Sequence, residues 1–229
     1  MFIIWAKLHQ GMQEVVMELN LGQWVVIGIC GFLILGYIRG FYYNRQRAGQ
    51  VLAWLREGLE TFGSVSVGEK LPGMATGGRL EVKRAVAPIR KVEAVYLLAP
   101  RENLLFWLFH LLQGKRDEMI LWITYQSKPE QDVEVAQSGD RQFASRLKAS
   151  DKKALTVSDA PRGLQFASEG KKDGTLSDKV RSLLEKYGSV VYRLALRENK
   201  PHLFLRANLR LMQVVSAPEF FSALRDLAN

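Results

Sequence analysis

The chain is poor in the residues that do chemistry. Its 229 residues include one cysteine, Cys30, and three histidines, His9, His110 and His202. A single thiol excludes a disulfide scaffold, a cysteine-built zinc cage and a CxxC redox pair. No P-loop pattern occurs, no G-x-G-x-x-G follows a strand-like run, and neither GxSxG nor HExxH is present. The histidines are scattered, and none adjoins a Ser or Cys in a nucleophile motif. His110 lies in LLFWLFHLL, where a histidine edging a packed helix is the plain reading. Asp117 and Glu118 occupy a helix-to-strand turn and read as solvated acids. No catalytic residue, metal site or cofactor follows from these patterns, and the expectation is a non-enzymatic protein with no small-molecule substrate.

What the sequence does have is a long apolar run. From Trp24 to Ile38 it reads WVVIGICGFLILGYI without a charge. Leu19, Leu21, Gly22 and Gln23 extend it to the roughly 20 residues that cross a bilayer core. A transmembrane helix over 21–43 is expected. A cleaved signal peptide fits less well, because Glu14 and Glu18 precede the run and Phe41, Tyr42 and Tyr43 follow it where small residues would be wanted. Those aromatics suit a membrane interface. Gly28, Gly31 and Gly36 offer small surfaces for another helix.

Charge is distributed unevenly. Lys7 and Arg39 balance Glu14 and Glu18, so the whole net charge of +9 falls on residues 45–229. Near the run, Lys7 alone stands on one side against Arg39, Arg45, Arg47 and Arg56 on the other. The positive-inside rule then puts the N-terminus outside or in the lumen and the C-terminal domain in the cytosol. Arg39, Arg45 and Arg47 are the topology-determining residues in this reading. Residues 1–20 form a short tail in which Met12, Val15, Val16 and Leu19 share a helical stripe, fitting an interfacial helix or an extension of the span.

Beyond the span, Val51, Leu52, Leu55, Leu59 and Phe62 predict a separate juxtamembrane helix from about Arg45 to Phe62. A Gly-rich loop to residue 78 follows, then a domain over 79–229. Strand patterns cover Arg79–Val86, Val92–Leu98, Glu118–Tyr125 and Asp132–Ala136. Shorter ones fall near Ala154–Val157 and Gly163–Ala167. Helices are expected from Pro100 to Gly114, around Arg141–Lys148, after a Ser177 cap, and from Ser216 with a capping box to Glu219. Ser189–Arg197 and His202–Leu211 read as a hairpin. Pairs of strands alternating with helices argue for an α+β domain of mainly antiparallel sheet with helices packed on it.

Two segments are candidate surfaces. Leu104 to Leu112 is apolar all round apart from His110, so it is either buried on every side or meets a membrane or protein partner. Burial is the favoured expectation. If it is a surface, Leu104, Phe106, Trp107 and Phe109 carry it. In the hairpin, Arg193, Ala195 and Arg197 share one face with His202, Phe204, Arg206, Asn208 and Arg210, while Tyr192, Leu194, Leu196, Leu203, Leu205, Ala207, Leu209 and Leu211 face the core. Such a basic ribbon could hold the phosphates of ribosomal RNA or anionic lipid. A solvated edge face is the alternative.

The order of these features resembles the cytosolic domain of the calumin family, the coiled-coil-containing endoplasmic reticulum proteins of the PAT intramembrane chaperone complex in the multipass translocon. The resemblance rests on Arg45-Gln46-Arg47 after a single span with Trp54 in the next helix, and on Gly78-Arg79 opening a strand. It continues with Arg101-Glu102-Asn103-Leu104-Leu105 at a helix start, Asp117 before the next strand, and a closing series of helix, Val190-led strand, Leu203-Phe204 strand and helix. It implies a membrane-protein biogenesis factor at the cytosolic face of the translocon, with the protein-conducting channel, other translocon subunits, ribosomal RNA and membrane lipid as partners. The host membrane would be endoplasmic reticulum in a eukaryote and plasma membrane in a prokaryote. The family's acidic luminal region, with its proposed calcium binding, has no counterpart in residues 1–20, and its basic coiled-coil tail has none before Asn229. Calcium is therefore not carried over. A membrane-anchored regulatory or scaffold subunit of a transporter or other integral complex is the alternative.

Overall fold

The computed structural model describes residues 20–68, 77–140, 143–145, 155–169 and 175–228. The tail over 1–19, residues 69–76 of the Gly-rich loop and most of the expected 141–148 helix lie outside these residues.

The first element is a single helix, α1, running 40 residues from Leu21 to Glu60, about 60 Å at the usual rise. Asn20 caps it reciprocally with Gln23, each backbone N–H donating to the other's side chain at 2.9 Å. The separate span and juxtamembrane helix expected from the sequence are therefore one rod. No proline interrupts residues 21–60, and Asn44, which could have ended a helix, is instead drawn into contacts with the domain. The rod has two halves. Through Arg39 none of its residues is buried, and this half is long and apolar enough to cross a membrane. From Gly40 onward a stripe of Gly40, Asn44, Arg47, Val51, Leu55, Gly58 and Leu59 is buried, at the spacing of one helical face.

The rest of the chain is an α+β unit. Its strands are β1 (Gly63–Val67), β2 (Gly77–Ala85), β3 (Ile89–Leu97), β4 (Glu118–Tyr125), β5 (Val133–Gln137), β6 (Leu155–Ala160), β7 (Leu164–Glu169), β8 (Val191–Leu196) and β9 (Leu203–Asn208). They form one nine-stranded sheet in the order β1-β2-β3-β4-β9-β8-β5-β7-β6, antiparallel at every pairing. Among the described residues its longer helices are α2 (Leu104–Leu112), α3 (Thr175–Tyr187) and α4 (Ala217–Asp226). The segment expected to be only a loop supplies the edge strand β1, so three strands, not two, precede α2.

One face of the sheet carries the core. In β4 the alternation puts Met119, Leu121, Ile123 and Tyr125 inward, as a sheet with helices on one side requires. Against them pack Leu55 and Leu59 of α1 with Phe62 in the turn after it, Val180 and Leu184 of α3, and Phe220, Phe221 and Leu224 of α4. Trp54 of α1 ties this layer together, its indole N–H donating to the Val215 carbonyl at 3.0 Å and its ring meeting Phe221 edge-on. Two expected caps are not used as such. Ser177 lies inside α3, fully buried, and accepts from Gln131 Nε2 at 2.8 Å. Ser216 occupies the N-cap of α4 without a side-chain bond.

His202 shows how the hairpin is joined to the core. It is buried, and its Nδ1 accepts the Tyr125 backbone N–H at 3.1 Å, while the Tyr125 hydroxyl donates to the Leu224 carbonyl at 3.0 Å. Burial, and secondarily the charge of Lys200, lower the His202 pKa from its ordinary 6.5. The unfolded chain therefore takes up this proton first as pH falls, and stability present above about pH 6.5 is lost below it. Protonation also turns the accepting nitrogen into a donor facing another donor. The melting temperature of the wild type should fall more between pH 7.5 and 5.5, in experiments of about that range, than that of His202→Asn, whose amide oxygen accepts at both; equal falls would contradict this assignment.

Candidate functional site

The nine residues of α2 read LLFWLFHLL and contain no polar stripe, yet none of them is buried. Leu105 is 71% exposed, Phe109 55% and Leu112 79%, with Phe106, Leu108 and Leu111 close to half exposed. Burial in the core, the favoured expectation for this helix, is thus overturned. The sheet's helix-bearing face is already filled by α1, α3 and α4, and α2 lies to the side, against α1. Of the candidate contact residues, Phe106 and Phe109 are outward, while Leu104 and Trp107 are half-buried. Each large apolar side chain left in water forgoes roughly 1.5–3 kcal/mol of burial, so a contiguous patch of six calls for a cover.

What fixes α2 is close approach to α1. A Cβ on Gly36 would stand 2.0 Å from Leu104 Cδ1, and one on Gly40 would stand 2.0 Å from the Arg101 carbonyl oxygen. Only glycine permits that backbone contact. Gly28 and Gly31 have nothing within 4 Å. Of the three glycines expected to offer packing surfaces, Gly36 serves α2 within the same chain and the other two are open.

Beneath this contact lies a buried ionic knot. Asp117, between α2 and β4, is 4% exposed, not the solvated turn acid expected. Its carboxylate accepts from Arg101 Nη1 at 3.0 Å and Nη2 at 2.9 Å, and from the Ala99 backbone N–H at 2.9 Å. Arg47 of α1 approaches it at 3.9 Å and donates to the Leu209 carbonyl at 2.8 Å. Asn44 donates to the Ala99 carbonyl at 3.0 Å and to Glu102 Oε2 at 2.6 Å, and accepts from Arg101 Nη1 at 3.0 Å. Arg101 also lies over the Tyr43 ring at 4.9 Å. Arg47, expected at the membrane surface, is thus a buried link, whereas Arg39 and Arg45 are exposed. Trp24 and Ile38 are exposed on the apolar half of α1.

The arginine face of the hairpin is less basic than its sequence. Arg193 is 4% exposed. Its Nε donates to Glu134 Oε1 at 2.9 Å, and its Nη2 contacts the same oxygen. Arg197 comes within 3.9 Å of that carboxylate. Arg206 donates through Nε to Glu118 Oε2 at 2.6 Å. Strands β4 and β5 flank the hairpin and each bring a glutamate to the same face, which the hairpin's own sequence does not show. Arg210 is exposed in a 3-10 turn over Leu209–Val214, where β9 has already ended. Tyr192, expected in the core, is half-exposed under Arg206 because the register shifts between Val191 and Arg193.

Between α1, α2 and the sheet opens a cleft of about 1440 Å³, lined by Leu33 and Tyr37 of α1, by Leu104 and Phe106 of α2, and by the charged Glu102, Lys115, Arg116, Glu118, Asp140 and Arg206. Among the described residues no group of three His, Cys, Asp or Glu side chains is arranged to hold a metal ion. No protein-family model and no curated protein matches the chain.

Gly40, Asn44, Arg101 and Asp117 are the residues that hold the site together, and none was expected to. Their signal was present: the stripe Val51-Leu55-Leu59 extends backward through Arg47, Asn44 and Gly40 at helical spacing, but polar residues hide it from a hydrophobic pattern.

Two substitutions test this geometry. Gly40→Ala should destabilise the protein by about 1–3 kcal/mol through overpacking, against the usual gain from replacing a helical glycine; Gly28→Ala should be neutral or better in the same thermal unfolding assay. Asp117→Asn leaves two guanidinium groups facing a neutral amide and should cost about 3–5 kcal/mol. Glu93→Gln, at a partly exposed pair with Arg79, should cost under about 1 kcal/mol.

Proposed function

We propose that this protein is a non-enzymatic, single-span membrane protein whose domain sits on the cytosolic side and assists membrane-protein biogenesis at the protein-conducting channel and ribosome. The observation that carries the reading is α2: a rigidly held helix whose large apolar side chains are exposed beside the domain-proximal end of the apolar half of α1. A soluble setting gives such a surface nothing to cover it. A bilayer interface, or the membrane-embedded helices of another protein, gives it a matched partner. At nine residues α2 is far too short to cross a bilayer, so it lies at the membrane's edge.

Retention of the apolar segment as an anchor, in preference to cleavage as a signal, is supported by the continuity of α1. Its second half is core, so cleavage just after the apolar half would cut within a folded helix. Arg39 and Arg45, exposed at the domain end, favour the cytosolic placement. The translocon as the place of action comes from the resemblance to the calumin family. Since Arg193 and Arg206 are engaged by glutamates, the reading gives the main contact to membrane-embedded channel subunits and only a secondary one to ribosomal RNA.

The test is a photo-crosslinker at Leu108 in native membranes, followed by purification at moderate salt and mass spectrometry. Cross-links to channel subunits in ribosome-bearing complexes are expected, reduced at least tenfold by Phe109→Glu with Leu112→Glu. Complexes lacking the protein would overturn the reading, and cross-links to one defined integral complex without ribosomes would assign the scaffold role instead.

A further inference from the structure

Two of the arginines on α1 are engaged within the chain, Arg47 with Asp117 and the Leu209 carbonyl and Arg56 with Glu60 at 3.1 Å. Arg39 and Arg45 are exposed and make no ion pair among the described residues. With Tyr42, Tyr43 and Gln46 they line a shallow hollow on α1. Its lining has two cations and no acid, and α1 carries no Asp or Glu from Leu21 to Arg56. Glu102 is held at the buried stripe by Asn44, at 2.6 Å, and does not line the hollow. The aromatic walls are supported from outside: Arg101 lies over the Tyr43 ring at 4.9 Å, and Phe41 meets the Tyr42 ring edge-on at 5.9 Å. Height decides what the hollow meets. From Leu21 to Ile38 the unburied apolar half of α1 rises about 27 Å, close to the roughly 30 Å of a hydrocarbon core. Arg39 then stands at the edge of that core, with Tyr42 about 4.5 Å and Arg45 about 9 Å further along the axis. A headgroup layer is roughly 5–8 Å deep, so the two guanidinium groups bracket the level of the phosphates.

From this we infer that the hollow binds the headgroup of an anionic phospholipid, with its phosphate between Arg39 and Arg45 and beside the Tyr42 hydroxyl and the Gln46 amide, both of which can donate. The inference rests on the reading of the apolar half of α1 as a retained span, and not on the surroundings of α2. Charge selects an anionic lipid over phosphatidylcholine, whose own cation would meet two more. Height selects lipid over nucleic acid, because Arg39 lies at the hydrocarbon edge, where the phosphates of an RNA do not reach. A lipid bound here fixes the depth of α1, and with it the height at which α2 is held.

The experiment uses the full chain in nanodiscs of phosphatidylcholine and phosphatidylglycerol in equal parts, then native mass spectrometry of the lipid retained on release. Phosphatidylglycerol should be retained in preference to phosphatidylcholine, and Arg39→Gln with Arg45→Gln should reduce that preference roughly tenfold or more. Arg56→Gln with Lys200→Gln, an equal loss of charge away from the hollow, should leave it unchanged. Equal retention of the two lipids, or an equal loss in the distant pair, would overturn the inference. Displacement of the bound phosphatidylglycerol by inorganic phosphate or by an RNA oligonucleotide would assign a free-anion or nucleic-acid site and overturn it too. Alkaline extraction of native membranes tests the reading beneath it separately. Release of the chain sinks the span itself, and retention of the chain without lipid preference in the nanodiscs sinks the headgroup site alone.

Discussion

One buried carboxylate decides how the halves of this molecule are joined. Asp117 takes Arg101 in a two-pronged pair and the Ala99 N–H, and it faces Arg47 of the long helix. Burying charge costs several kcal/mol per ion, and attraction recovers it only where geometry is good and the remaining hydrogen bonds are filled. Here they are filled from three places: the middle of α1, the segment before α2 and the turn after β9. A pair of this kind does little for net stability compared with apolar packing, but it admits few alternative arrangements. Its consequence is that α1 leaves the domain in one direction and α2 lies against it at one height.

That height is what gives the exposed helix its meaning. A helix as apolar as LLFWLFHLL on a free loop would collapse onto whatever core it could find. Gly36 and Gly40 let it come against α1 closely enough to be held outside, and the filled core layer of α1, α3 and α4 leaves it no room within. The apolar half of α1 and the outward face of α2 then make one continuous apolar surface, flanked by exposed Arg39 and Arg45. The domain presents its least soluble element where a membrane, not water, would meet it.

The α+β class, the antiparallel sheet and most strand positions were legible in the sequence, because β4 and β9 alternate cleanly and α3 and α4 carry strong apolar stripes. The extent of α1 was not, since nothing local marks where an apolar run gives way to a mixed one when no proline intervenes. The edge strand β1 was missed because Gly63 and Gly68 look like loop, and the strand exists only through pairing with β2. At the site, composition pointed to α2 but gave the wrong environment: a helix without a polar face reads the same whether buried or membrane-facing. Of the four ribbon arginines, Arg210 lies beyond β9, and the engagement of Arg193, Arg197 and Arg206 by Glu134 and Glu118 depends on strand order, which no single segment contains. Asp117 looked like a turn acid because its partners are 16 residues away for Arg101 and in another helix for Arg47.

The central claim is that α2 is held at the level of a bilayer with its apolar side chains in lipid or in a membrane-embedded partner. The most direct measurement is the accessibility of spin labels placed singly at positions 105, 108, 109 and 112, with Cys30 replaced by serine, in the protein reconstituted into vesicles. Labels at all four positions are expected to be relaxed by oxygen and shielded from a water-soluble nickel chelate, and a label at Lys200 in the hairpin turn to show the reverse. Collision of the chelate with the α2 labels as frequent as at Lys200 would contradict the account.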